Sequence, residues 1–142
     1  MAGYSGTPLA TKLGIREATT LALLDAPVDL PLELPARVVV KRQARGSVDI
    51  ALAFFTRRAT FRRRLDALGQ MVFPAGGLWI AWPKKASGLA TDMTDHVIRG
   101  DALPKGLVDN KVCAVDDTWS ALRLVWRLEN RDGERTRGQI VT

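Results

Sequence analysis

The sequence predicts an α/β fold: a three-layer sandwich whose mostly parallel sheet is finished by an antiparallel C-terminal hairpin. Three observations carry this. Residues 48–55 (VDIALAFF) are almost continuously apolar, as a strand buried on both faces of a parallel sheet must be. An amphipathic helical stripe follows, with Phe61, Leu65, Leu68 and Val72 at a 3.6-residue period, and then a second apolar strand at residues 78–82. Near the end, residues 107–115 and 120–128 are joined by too short a polar turn for a parallel crossover, so that pair must be antiparallel.

In chain order, Thr7-Pro8 reads as an N-cap with proline at the first helical position, opening a short helix that Gly14 stops. Residues 19–24 (TTLALL) form a compact apolar strand. Pro27, Pro31 and Pro35 then forbid a long helix. Residues 37–41 (RVVVK) make a β-branched strand. The amphipathic helix spans residues 57–72, and Gly76-Gly77 lead into the strand at 78–82. A loop containing Lys84 and Lys85 follows, then a helix expected from Thr91 or Asp92 to Leu103, ended by Pro104 and Gly106. The expected architecture is one Rossmann-like α/β domain over residues 1–128, helices on both faces, with a polar, flexible tail at 129–142.

At 142 residues and 46% hydrophobic, the chain is sized for one domain with a substantial core. One cysteine, Cys113, excludes an internal disulfide and fits a reducing compartment. The N-terminus has no secretory pattern, and no apolar run is long enough for a membrane span. A cytoplasmic protein with no membrane association is the expectation. The net charge of +6 is concentrated. Residues 37–64 hold nine bases against Asp49 alone, a local +8 that leaves −2 elsewhere.

The loop after the 78–82 strand is the leading candidate site. Strand, loop and helix start in that order form the unit where open α/β sheets place ligands. Lys84 and Lys85 offer ammonium groups, Ser87 a hydroxyl and Gly88 flexibility, against an anion. Asp92 argues the other way, because a carboxylate cap would occupy the helix N–H groups. Trp82 would wall the pocket, while Trp79, three residues earlier, faces the opposite side and reads as core. Asp109, Asn110 and Lys111 interrupt an apolar strand, which requires an edge or a site; Asp109 and Asn110 are the second choice for ligand contacts.

Other chemistries are weaker. The arginines at 57–64 lack a stacking platform, so nucleic acid is disfavoured as a partner. Ser87, Asp92 and His96 have no nucleophile-elbow sequence around the serine. One His and one Cys do not make a zinc site, and Asp116-Asp117 read as an acidic turn. No catalytic residue, metal or cofactor is identified. The expectation is a non-catalytic binding or regulatory domain holding an anionic small molecule near Trp82. Its rival is a ligand-free module for a protein partner or homo-oligomerisation.

Two resemblances bear on this. MAGYSGTPLATKLGI, PAGGLWIAWPKKASG with TDMT, and GLVDNKVCAVDDTWSALRL resemble an uncharacterised bacterial family, domain of unknown function 3052, which implies no activity. At the level of fold, the chain also resembles class I S-adenosylmethionine-dependent methyltransferases. ALLDAP sits where their first strand ends and SVDIALAFF where their fourth does; FPAGGLWIAW is similar to the turn before their fifth, and the hairpin to their last two strands. Their glycine-rich cofactor loop is missing, since Ala26, Pro27 and Val28 follow Asp25 and no glycine lies between Gly14 and Gly46. The first helix and third strand of that fold are also missing, so the resemblance implies a shortened scaffold, with a degenerate methyltransferase-like enzyme as the further alternative.

Overall fold

A computed structural model describes residues 6–131. Six strands form one sheet: β1 (Thr20–Leu24), β2 (Val39–Lys41), β3 (Ile50–Phe54), β4 (Gly77–Pro83), β5 (Leu107–Ala114) and β6 (Trp119–Trp126). Their spatial order is β2-β1-β3-β4-β6-β5. The first four are parallel, and β6 runs antiparallel to both β4 and β5. The predicted α/β architecture with its C-terminal hairpin is therefore the observed one.

Every residue of β3 is buried, because it is a central strand covered on both faces. Side-chain alternation divides the core in two. On one face Leu24, Ala53, Ile80, Leu122 and Leu124 meet Phe61, Leu65 and Leu68 of α2 (Arg58–Val72) and Ile98 of α3 (Asp95–Ala102). On the other, Leu21, Leu23, Leu52, Phe54 and Trp79 meet Leu9 and Leu13 of α1 (Leu9–Leu13). The helical stripe read from the sequence is the buried face of α2.

Between β1 and β2 the three prolines hold the chain as a loop, and Leu30 and Leu32 pack on the α1 face in place of a crossover helix. Residues 42–48 return from β2 to β3 with Ala44 against the α2 face.

Two helix expectations need correction. Pro8, not Thr7, occupies the position before α1. The helix expected from Thr91 or Asp92 begins at Asp95, capped by Thr94, whose Oγ1 accepts from the Val97 N–H at 3.0 Å. It ends at Ala102, and a 3-10 turn, Leu103–Lys105, carries the chain to Gly106 in the left-handed conformation that a glycine adopts freely. The 129–142 tail starts, within the described residues, with a 3-10 turn at Leu128–Asn130. There Asn130 is buried and its Nδ2 donates to the Gly106 carbonyl; residues 132–142 lie outside the described residues. No described helix is long and apolar enough to cross a membrane.

Candidate functional site

The carboxyl ends of β1, β2, β3 and β4 lie at one edge of the sheet, and the order β2-β1-β3 makes the gap between β1 and β3 the topological switch point. Asp25 leaves β1 there with φ of 58°, a left-handed conformation that aspartate tolerates better than most residues. Its carboxylate accepts from Nη1 of Arg64 on α2 at 2.9 Å. Lys41 ends β2 and Arg42 follows it; beyond β3 stands Arg57, and beyond β4 stand Lys84 and Lys85. The ends of these strands thus carry cations, and the Asp25 carboxylate at the switch point is paired with Arg64.

Two clefts open at this edge. One, about 290 Å³, lies on the α2 side between Thr56, Arg57, Ala59 and the loop at Ala90, Thr91 and Asp92. The other, about 330 Å³, lies on the α1 side, where Pro31, Glu33 and Val115 face Pro8, Leu9 and Lys12.

The loop after β4 is more internally bonded than its sequence suggests. Lys84 donates its backbone N–H to the Thr118 carbonyl at 2.8 Å and one Nζ proton to the Asp116 carbonyl at 2.6 Å, tying β4 to the β5–β6 turn. Ser87 Oγ donates to the Lys84 carbonyl and accepts from the Leu89 N–H, closing a 3-10 turn, Lys85–Ser87, that Gly88 ends with φ of 77°. Lys85 is exposed, and Trp82 is half-buried against the α2 face.

Asp92 does cap a helix, but a different one. Its Oδ1 accepts from the Arg58 N–H at 2.7 Å, at the start of α2, and Thr91 donates from Oγ1 to the Thr56 carbonyl. The loop after β4 is thereby clasped to the end of β3. His96 is exposed on α3, and Ser87 and Asp92 are each bonded elsewhere, so the three do not form a relay.

The second-choice pair separates. Asp109 accepts from Arg99 Nε at 2.9 Å, while Arg99 Nη1 also holds Asp95. Asn110 is exposed at the irregularity between Asp109 and Lys111 on the edge strand β5, which explains how three polar residues sit in an apolar strand. Asp116 Oδ1 accepts from the Thr118 and Trp119 N–H groups, closing its turn. Among the described residues no group of three or more His, Cys, Asp or Glu could hold a metal. Cys113 is half-buried, and burial pushes its thiol up from the ordinary value.

Much of the arginine-rich segment is spent inside the fold. Arg58 grips Asp101 through Nε and Nη2, at 3.0 and 2.8 Å, with Arg62 at 3.8 Å. Arg37 pairs with Glu17, and Arg64 with Asp25. Sequence reasoning missed the Asp25–Arg64 pair, which spans 39 residues and has no local signature.

No protein-family model matches the chain, and no curated protein matches it in sequence. Solved structures do resemble it. A SAM-dependent methyltransferase from Aquifex aeolicus superposes with a TM-score of 0.55 at 12% identity, over 82% of this chain and 86% of that one. Magnesium protoporphyrin IX methyltransferase (ChlM) from Synechocystis PCC 6803, with bound SAM, gives 0.53 at 9% identity, over 84% and 74%. LepI, in complex with SAH and a substrate analogue, gives 0.52 at 12% identity, over 85% of this chain and 47% of that one. At these identities the likeness is one of fold: the chain has a Rossmann-like sheet of the kind found in SAM-dependent methyltransferases.

Proposed function

We propose that the chain is a non-catalytic binding or regulatory module on a methyltransferase-like scaffold, and that it takes an anionic small molecule at the carboxyl edge of its sheet. The observation that carries this reading is the charge of that edge: Lys41, Arg42, Arg57, Lys84 and Lys85 stand at or just past the strand ends, and the Asp25 carboxylate is already paired with Arg64. Lys85 and the uncommitted protons of Lys84 would meet the anion, and Trp82 would pack beside it.

The same residues do not fit SAM. Its sulfonium is a cation, and the guanidinium of Arg64 stands at the switch point. Close approach of backbone to a cofactor needs glycine after β1, where this chain has Ala26 and Pro27. The end of β2 carries Lys41 and Arg42 where a ribose-binding acid would stand. Membership in the bacterial family of domain of unknown function 3052 is likewise our reading, resting on the motifs quoted above.

The test is a thermal-shift panel of SAM, SAH, nucleotides, coenzyme A and phosphosugars. A ligand at about 100 times its dissociation constant adds roughly 2.7 kcal/mol, a shift of a few degrees. A shift with one anion, lost in Lys84→Ala/Lys85→Ala, is the expected result. Stabilisation by SAM would overturn the reading in favour of the enzyme, and a flat panel in favour of a module for a protein partner.

A further inference from the structure

On the opposite sheet face from Trp82, and independently of that site, one arginine stands in a setting that calls for a partner. Arg123 lies on β6, directly across from Trp79 of β4 and Lys111 of β5. Its guanidinium rests on the backbone of buried Gly77: a Cβ there would come within 2.5 Å of Nε and 2.9 Å of Cζ. Glycine at 77 is therefore what makes room for this side chain.

Two of its neighbours among the described residues are cations. Lys111 faces Arg123 across the ladder, where like charges destabilise. Arg131, held by its Nε–H to the Trp126 carbonyl, adds a third positive charge. Burial, and after it Arg131, push the guanidinium down from its ordinary pKa. Among the described residues no carboxylate or carbonyl accepts a hydrogen bond from Arg123, although the five donors of a guanidinium form a planar fork suited to two oxygens. A half-buried cation with cationic neighbours is costly to hold, and a bound oxyanion removes that cost.

We propose that Arg123, seated on Gly77 and flanked by Lys111 and Arg131, is a binding site for a small oxyanion, a carboxylate or phosphate group. Strand β4 covers the guanidinium where Gly77 approaches Nε and Nη2, and the anion meets the N–H groups that this contact leaves open. The glycine positions the fork and the two neighbouring cations raise the local positive potential.

The experiment follows the Arg123 Nε–H resonance of the full-length, nitrogen-15-labelled chain during titration with inorganic phosphate and, separately, with succinate. The tighter arm identifies the anion class. A saturable shift is expected, weakened about ten- to hundredfold in Arg123→Gln as judged by neighbouring backbone resonances, the loss equivalent to a charge-assisted hydrogen bond. Gly77→Ala should weaken it comparably while leaving every charge in place, because the new methyl displaces the guanidinium. Arg63→Gln removes a charge from the outer face of α2 and should change nothing. If Gly77→Ala does not fold, Arg123→Gln and Arg123→Lys decide. Equal binding by wild type and Arg123→Gln, or no saturation in either arm, overturns the proposal.

Discussion

Trp79 shows how a single side chain ties a central strand to the first helix. It is 1% exposed, and its Nε1–H donates to the carbonyl of Leu13 at 3.0 Å, joining β4 to the end of α1. Trp79→Phe keeps an aromatic ring but leaves a buried carbonyl without its donor, so we expect a loss of about 1–3 kcal/mol in chemical denaturation. A loss below about 0.5 kcal/mol would mean that water reaches that carbonyl and that the bond matters little. The opposite orientation of Trp79 and Trp82 was legible from their spacing, since strand parity depends on nothing distant. Asp92 was legible only as a capping residue. Which helix it caps depends on tertiary approach, and the neighbouring Thr94 supplies the cap that α3 uses.

At the scale of elements, α2 and α3 are joined across their flanks by Arg58, Arg62 and Asp101. The hydrogen bond from Arg58 is the larger reason that the Asp101 carboxyl sits below the ordinary carboxylate range, against an opposing effect of burial. A depressed carboxyl adds stability that is present above its unfolded value and lost as pH falls through the folded one. The stability gap between wild type and Asp101→Asn should therefore be constant near neutrality and close progressively below about pH 3.9. Urea denaturation at a series of pH values checks this; a gap that persists unchanged at low pH would mean that the pair contributes by packing alone. The stripe that buries α2 could be read from the sequence because helical periodicity is local. The pairs Arg58–Asp101 and Asp25–Arg64 could not, because each joins segments far apart in the chain. The same limit hid the seating of Arg123 on Gly77.

For the whole molecule, the decisive quantity is how much of the positive charge is free to act outward. The sequence shows nine bases between residues 37 and 64, and the fold pairs Arg37, Arg58, Arg62 and Arg64 with acids. That leaves Lys41, Arg42, Arg45, Arg57 and Arg63 without an ion pair among the described residues. A sequence pI of about 10.1 thus overstates the surface offered to a polyanion. Each phosphate contact contributes about −0.7 to the slope of log affinity against log salt for a single strand, so these five cations, with Lys84 and Lys85 of the carboxyl edge, allow a slope of roughly −4.9 at most. A short single-stranded oligonucleotide should therefore bind only at low salt, without base preference, and release by about 0.2 M salt, where charges farther apart than a Debye length are screened. Fluorescence anisotropy across a salt series reads this directly. A slope much steeper than that bound, or affinity that survives high salt and changes with base composition, would make nucleic acid the partner and assign the basic edge to it. A shallow slope leaves that edge to a small anion, which needs two or three well-placed cations and not a track of them.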